Sequence, residues 1–437
     1  MKPAVTLITG LMLSQAALLA APASSSTPTF NKDVAPILYR NCAECHRPGQ
    51  VAPFPLLSYS DAAKRAGLIA TVTERRYMPP WKAEPGYGHF QDERRLTDAE
   101  IATIAAWASH GAPEGDPAQK PPLPRFASGW LAGKPDVVLS MPQAFSVSAD
   151  GTDLFQCFVI PLNFTTDRYV KTVEFHPGNP GIVHHALFFL DTSGEARKMD
   201  AATPEPGYSC FGGPQVEING ALGGWAPGAT PQPLPPGVAH TVKQGTDLVI
   251  QIHYHPSGKP ETDRSSIGLT FGEKPQKGLA GMVAGTRKID LAPGNAHQDV
   301  TDWITVPEDA DLIGITPHAH LLCREMKVDA HLPDGTTKPL IWIKDWDFNW
   351  QGQYRYAEPV HLPKGARIEM KYVYDNSADN PHNPSNPPKR VTYGEQTTDE
   401  MALLFLQVVL PTPQDVPRFR REFVLSRIRQ YLTEGGA

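Results

Sequence analysis

From about Val137 onward, apolar and polar residues alternate with a period of two, in short runs broken by Gly, Pro and Asp turns. Ile182 to Leu190, Asp247 to Tyr254, Leu312 to Ile315 and Met401 to Val409 are the plainest of these runs. The 45 prolines and 36 glycines are spread along the chain, which suits a loop-rich β protein and not a helical bundle or a disordered chain. One all-β sandwich or a pair of them is therefore expected over the C-terminal two-thirds. The end differs: Phe419, Phe423, Val424, Ile428 and Leu432 fall at helical spacing between Arg418 and Leu432.

The 437 residues are enough for two or three domains. The start reads as a secretory signal over residues 1–23. Lys2 supplies the positive charge, Val5 to Ala21 is mostly apolar, and Ala21-Pro22-Ala23 offers small residues for cleavage. No other run approaches the ~20 apolar residues of a membrane span. A soluble, exported (periplasmic or secreted) mature chain without a membrane span is expected. The net charge of −6 includes no basic patch, so nucleic acid is not an expected partner.

Cys42-Ala43-Glu44-Cys45-His46 is the C-x-x-C-H arrangement that attaches a c-type haem. Two thiols at this spacing reach the two vinyl groups, and the following histidine is placed to ligate iron. A redox C-x-x-C belongs near a βαβ pattern, and zinc needs a second C-x-x-C; neither occurs here. Val34, Ile37 and Leu38 have helical spacing ahead of the motif. Thr97 and Glu100 form a capping box, with Ile101, Ile104 and Trp107 on one face and Gly111 as the stop. These features resemble a small class I cytochrome c, expected as an all-α domain over residues 28–118. Met78, in Tyr77-Met78-Pro79-Pro80-Trp81, is the expected second haem ligand, with His89 its rival. Two protein ligands suit electron transfer and leave no open iron position. Residues 119–136 read as a linker.

Histidines then recur in pairs: His184-His185 in one strand, His253-x-His255 ending another, His318-x-His320 after a third. In H-x-H on a strand both rings face one side and can share an ion. Adjacent histidines can do so only where the strand twists or bulges. Three such pairs point to metal binding.

Val183-His184-His185, Gln251-Ile252-His253-Tyr254, His318-Ala319-His320 and Thr398-Asp399-Glu400-Met401 occur in the order found in the copper type II ascorbate-dependent monooxygenases. The chain resembles that family over about residues 150–410. The resemblance implies two jelly-roll-like domains, here expected at 137–290 and 291–437, with one copper in each across a cleft. His184, His185 and His253 would hold an electron-transfer copper. His318, His320 and Met401 would hold an oxygen-activating one, with Gln251 a further catalytic candidate. A thioether in place of one imidazole favours Cu(I). By this reading His255 is spare, and His382 lies near the cleft.

The chain departs from the family in three ways. In the peptide-amidating branch an Arg, an Asn and a Tyr hold the substrate carboxylate; the matching positions here are Thr316, Leu403 and Phe405. A glycine-extended peptide is therefore not the expected substrate. The region holds only Cys157, Cys210 and Cys323. Cys157–Cys210 is the expected pair and Cys323 is expected buried and free, although spacing does not decide it. The third departure is the haem motif itself. The expectation is a monooxygenase that hydroxylates a small organic substrate with dioxygen or peroxide. Haem c would relay electrons from a periplasmic donor, or an ascorbate-like reductant would supply them. A multi-centre electron-transfer protein and a copper-binding module are the alternatives. The aromatic run Trp342, Trp346, Phe348 and Trp350 reads as packing.

Overall fold

A computed structural model describes residues 27–48, 50, 52–126 and 129–433, so the expected signal segment lies outside the described residues. Two antiparallel β sandwiches dominate. In the first, a five-stranded sheet runs in the order Tyr208–Ser209, Leu154–Pro161, Asp247–Tyr254, Val183–Asp191, Gly220–Trp225. A four-stranded sheet with Arg168–His176 and Ser266–Phe271 at its centre covers it. The strand Asp247–Tyr254 is buried along its whole length, which explains its run of Leu, Val and Ile. Phe158, Phe188, Ile250 and Leu269 come from both sheets and meet in one core.

The second sandwich pairs Gly278–Gly285, Ala402–Leu410, Ala310–Ala319 and Tyr354–Leu362 in one sheet. Gln298–Thr305, Arg367–Tyr374, Cys323–His331 and Thr337–Ile343 form the other. The division expected at residue 291 moves earlier. The strand Gly278–Gly285 pairs along its length with Ala402–Leu410 and buries Ala280, Met282 and Ala284 in the second core. Its partner lies more than a hundred residues away, so no local signal marks it. The C-terminal helix, Asp415–Thr433, packs Phe419 into that core. Its Arg427 pairs with Asp302 at 2.9 Å.

The expectation of an all-α cytochrome domain ahead of the sandwiches is overturned. The described residues are mostly β, with six α-helices, one of them near the C-terminus. Short helices at Ala35–Asn41, Tyr59–Ala63, Ala66–Glu74 and Asp98–Ser109 gather around Phe30, Leu38, Ile104 and Trp107. The capping box forms as expected: Glu100 N–H donates to Thr97 Oγ1 (3.2 Å) and Thr97 N–H to Glu100 Oε2 (2.8 Å). Between the third and fourth of these helices, however, the chain leaves the helical cluster. Ala83 bridges to Ile343, Phe90 bridges to Tyr356, and both side chains belong to the second sandwich's core. Helix signals at the two ends of the segment are local, whereas this excursion is fixed by partners some 260 residues on.

Phe90 packs against Trp81, Tyr354 and Tyr356 at ring separations of 6.2, 5.1 and 5.0 Å. Phe90→Ala should lower stability by about 3–5 kcal/mol and open residues 84–92 to proteolysis. Urea unfolding and limited proteolysis check this; a strip that stays protected would mean that Phe90 does not hold it.

Candidate functional site

The strand Val183–Asp191 shifts register against Asp247–Tyr254 between Val183 and His185, a β-bulge at His184. The bulge turns two adjacent histidines to one side. His184 Nδ1 lies 3.1 Å from His185 Nδ1, and His253 Nδ1 lies 3.4 Å from His185 Nδ1. Metal–nitrogen bonds of ~2.0–2.1 Å at near-tetrahedral angles put neighbouring donors roughly 3.3 Å apart. The three nitrogens therefore fit one ion. Burial, reinforced by His253, pushes His184 down to about 3 and His185 well below its ordinary value. Both rings are thus neutral, with lone pairs free to ligate.

Asp153 stands behind this group. Its carboxylate lies 3.2 Å from His253 Nε2, accepts from His255 Nδ1 at 2.8 Å, and accepts from the Thr397 hydroxyl. Burial alone raises its pKa, but the close contact with His253 and hydrogen bonds from Thr397 and His255 outweigh that and hold it below the usual carboxylate range. The His253 contact is off the hydrogen-bond direction, leaving Nε2 as a buried atom without an aligned partner. His255 is exposed and faces Asp153, away from the nitrogen cluster. Phe155 stacks on His253 at 4.3 Å. Gln251, on the same strand face as His253, donates its amide to Cys210 O (2.7 Å). Cys210 is disulfide-bonded to Cys157, and Cys323 is free and buried. Gln251 thus braces the loop beside the first histidine group.

The second group lies at the ends of the paired strands Ala310–Ala319 and Ala402–Leu410, with His318 in the first, His320 just after it and Met401 just before the second. His318 Nδ1 is 2.6 Å from Gln351 Oε1, and His320 Nδ1 is 3.0 Å from the Asp399 carbonyl. Each ring is oriented through Nδ1, as outer partners orient metal ligands. The two ring centroids are 5.3 Å apart. Burial pushes His318 down to about 3, helped by His320, and His320 down to about 4. Buried Glu400 pins the site by accepting from the N–H groups of His320 (2.9 Å), Leu322 (2.5 Å) and Met401 (3.2 Å). Its pKa is raised to about 8 by burial, against the lowering effect of those donors.

Both groups open on one cleft of about 1770 Å³ between the sandwiches, which Met401 also lines. Phe348 stacks on His184 at 4.7 Å and meets His320 edge-on at 5.8 Å. A single ring therefore touches both groups. His382 is exposed and does not line the cleft. Asp153, Phe348, Gln351 and Glu400 were not singled out as site residues in the sequence reading. Only the place of Glu400 in the motif with Met401 hinted at one of them.

Cys45 lies on the same cleft wall. Cys42 and Cys45 are free thiols in a turn after the helix Ala35–Asn41, and burial, reinforced by Cys45, pushes Cys42 up to about 12. His46 Nδ1 is 3.0 Å from the Phe54 carbonyl. Met78 is half-buried in the turn after the helix Ala66–Glu74, with its N–H on Val72 O (3.1 Å). His89 is exposed on the strip tied to the second sandwich, its carbonyl accepting from Ala357 N–H.

No family model and no curated protein matches the chain. Among solved structures, it is similar to the major capsid protein P2 of bacteriophage PM2, at 9% identity and TM-score 0.27. That match covers 63% of this chain and 97% of the other. PNGF-II matches at 10% identity and TM-score 0.24, covering 63% and 65%. The PBSX exported protein XepA matches at 10% identity and TM-score 0.17, covering 59% and 92%. Likeness this slight assigns nothing to the chain.

Glu400→Ala strands three buried N–H groups, each costing about 1–3 kcal/mol. It should therefore lower stability by several kcal/mol, and Glu400→Gln, which keeps an acceptor oxygen, by clearly less. Urea unfolding distinguishes them; equal midpoints for both variants and the parent would remove Glu400 as the pin.

Proposed function

We propose that the protein is an exported copper-dependent monooxygenase that hydroxylates a C–H bond of a small organic molecule, with electrons entering through haem c. One observation carries this reading. Three imidazole nitrogens converge on one wall of the cleft, and His318, His320 and Met401 line the other. His184, His185 and His253 would hold one copper through Nδ1; His318, His320 and Met401 would hold the second through Nε2 and the thioether. Cys42 and Cys45 would carry the haem and His46 would ligate it, with Met78 the second ligand. When bound, the coppers supply one-electron redox chemistry and oxygen activation, and the haem supplies electrons singly.

The overall reaction takes R–H, O2, two electrons and two protons to R–OH and water. The electrons come from an external periplasmic donor or a small-molecule reductant. The chain's own residues do the positioning. Gln351 and the Asp399 carbonyl fix the His318 and His320 rings, and Glu400 holds the backbone beneath them. Asp153 orients His253 and, through Thr397, ties the first histidine group to the loop that carries Met401. Phe348 contacts a histidine of each group and so offers a side chain between them for an electron to cross through. A roomy cleft beside Met401 favours an enzyme over a carrier, which needs no substrate space.

Protein matured in an oxidising compartment should contain one haem and two coppers per chain. His185→Ala and His318→Ala should each lose one copper. Cys42→Ser with Cys45→Ser should abolish donor-driven turnover and keep turnover with a small-molecule reductant. Metal analysis, optical spectra and product detection read these outcomes. A chain that binds haem but no copper would overturn the monooxygenase reading. Loss of reductant-driven turnover in a folded, copper-loaded double variant would overturn the relay.

A further inference from the structure

The cleft holds an imbalance of hydrogen-bonding groups. Among the described residues, the buried side-chain atoms without a partner include Arg355 Nη1, Trp350 Nε1 and Trp81 Nε1, and all three residues line this cleft. All three atoms are N–H donors. His253 Nε2 is also without an aligned partner on this cleft, and the excess of N–H donors favours a ligand that brings acceptors. Arg355 adds a full positive charge. It forms no ion pair among the described residues, and burial pulls its pKa below the ordinary value with no acid counteracting. Arg355 is half-buried with Nη1 buried and unpaired, and a partly desolvated cation without a counter-charge marks a place where an anion belongs.

The sheet register shows what lies between this cation and the second histidine group. Gly314 pairs with both Arg355 and Gln407, Thr316 with Phe405, and His318 with Leu403. With a period of two, Gly314, Thr316 and His318 share one face, as do Gln407, Phe405 and Leu403 beside them. These residues line the cleft. One row of the sheet therefore begins at a guanidinium, passes Phe405 and Leu403, and ends at His318. Four residues of strand separate Gly314 from His318, a span of about 13 Å at the usual rise.

We propose that Arg355 binds a carboxylate at the end of this row, and that the substrate is an apolar monocarboxylic acid extending over Thr316, Phe405 and Leu403. This rests on the proposed hydroxylation at His318, His320 and Met401 and names its substrate class. A single half-buried cation balances a single negative charge, which suits a carboxylate better than a phosphate dianion. The anchor lies four residues along the strand from His318. The acid must therefore place its oxidised carbon on the order of 10 Å from its charge, longer than a glycine-extended peptide end held beside the H-x-H motif would require.

The same chemistry has a second source, because a haem attached at Cys42 and Cys45 would carry two propionates of its own. Binding of octanoate and of neutral 1-octanol to copper-free, haem-bearing protein, by calorimetry and tryptophan fluorescence, separates the sources. Octanoate should bind, and octanol at least about tenfold more weakly. Arg355→Gln should reduce octanoate affinity by roughly tenfold or more, as loss of a charge-assisted hydrogen bond implies. It should leave octanol binding unchanged without lowering the melting temperature, and Arg355→Lys should restore part of the loss. Failure of octanoate to bind, or equal binding by Arg355→Gln, would overturn the proposal. Octanoate binding only to the haem-free Cys42→Ser, Cys45→Ser chain would also overturn it, assigning the site to a propionate. Copper content is measured separately, so absent copper with intact octanoate binding would sink the monooxygenase reading and leave the anion site standing.

Discussion

The cleft depends on one buried carboxyl group. Glu400 lies at the join between the strand that presents Met401 and the turn that follows His318-Ala319-His320, and it satisfies backbone donors on both. Without it three N–H groups would be buried without partners where the side chains must be held most rigidly. The arrangement also explains why the acidic residue sits directly before Met401. A neighbour in sequence is the shortest way to tie that backbone to the histidine turn.

From that fixed edge the remaining contacts propagate across the molecule. Asp399, one residue earlier, turns its carbonyl to His320, and Thr397 reaches Asp153 in the other sandwich. Asp153 in turn faces His253, whose ring belongs to the triple-nitrogen cluster. A short chain of polar contacts thus links the two histidine groups on one side, and Phe348 links them on another. On this physical picture the two groups are not independent. A shift of the loop 396–401 would alter both.

The cleft also shows two kinds of polar environment. Around the histidines every ring has an oriented partner or converges on its neighbours. Around Arg355 and Trp350 the donors are left over. The first is the environment of ligands held for an ion, and the second that of a site completed by something with oxygen atoms to offer. The helical N-terminal residues contribute Cys45 to the same wall, and the extended strip through Ala83 and Phe90 anchors them to the second sandwich.

What the amino-acid order determined by itself was whatever depends on neighbours within a turn or a strand. The alternation over Asp247–Tyr254 and around Leu312, the Thr97–Glu100 cap, the C-terminal helix and the histidine pairs are all local patterns, and they were legible. The need for a bulge at His184-His185 could be stated as a condition, because adjacent side chains point to opposite faces. Only the tertiary structure decided that the bulge exists, through the pairing of Val183 with Tyr254 and His185 with His253. It alone joined Asp153 to Thr397, 244 positions apart, and moved the strand Gly278–Gly285 into the second sandwich. It also drew residues 83–91 out of an expected helical domain, left Arg355 facing the cleft, and made Phe348 the ring between two sites. Periodicity carries no record of which distant strand supplies a partner. Register, burial of charge and the closure of a cleft are set by those distant partners.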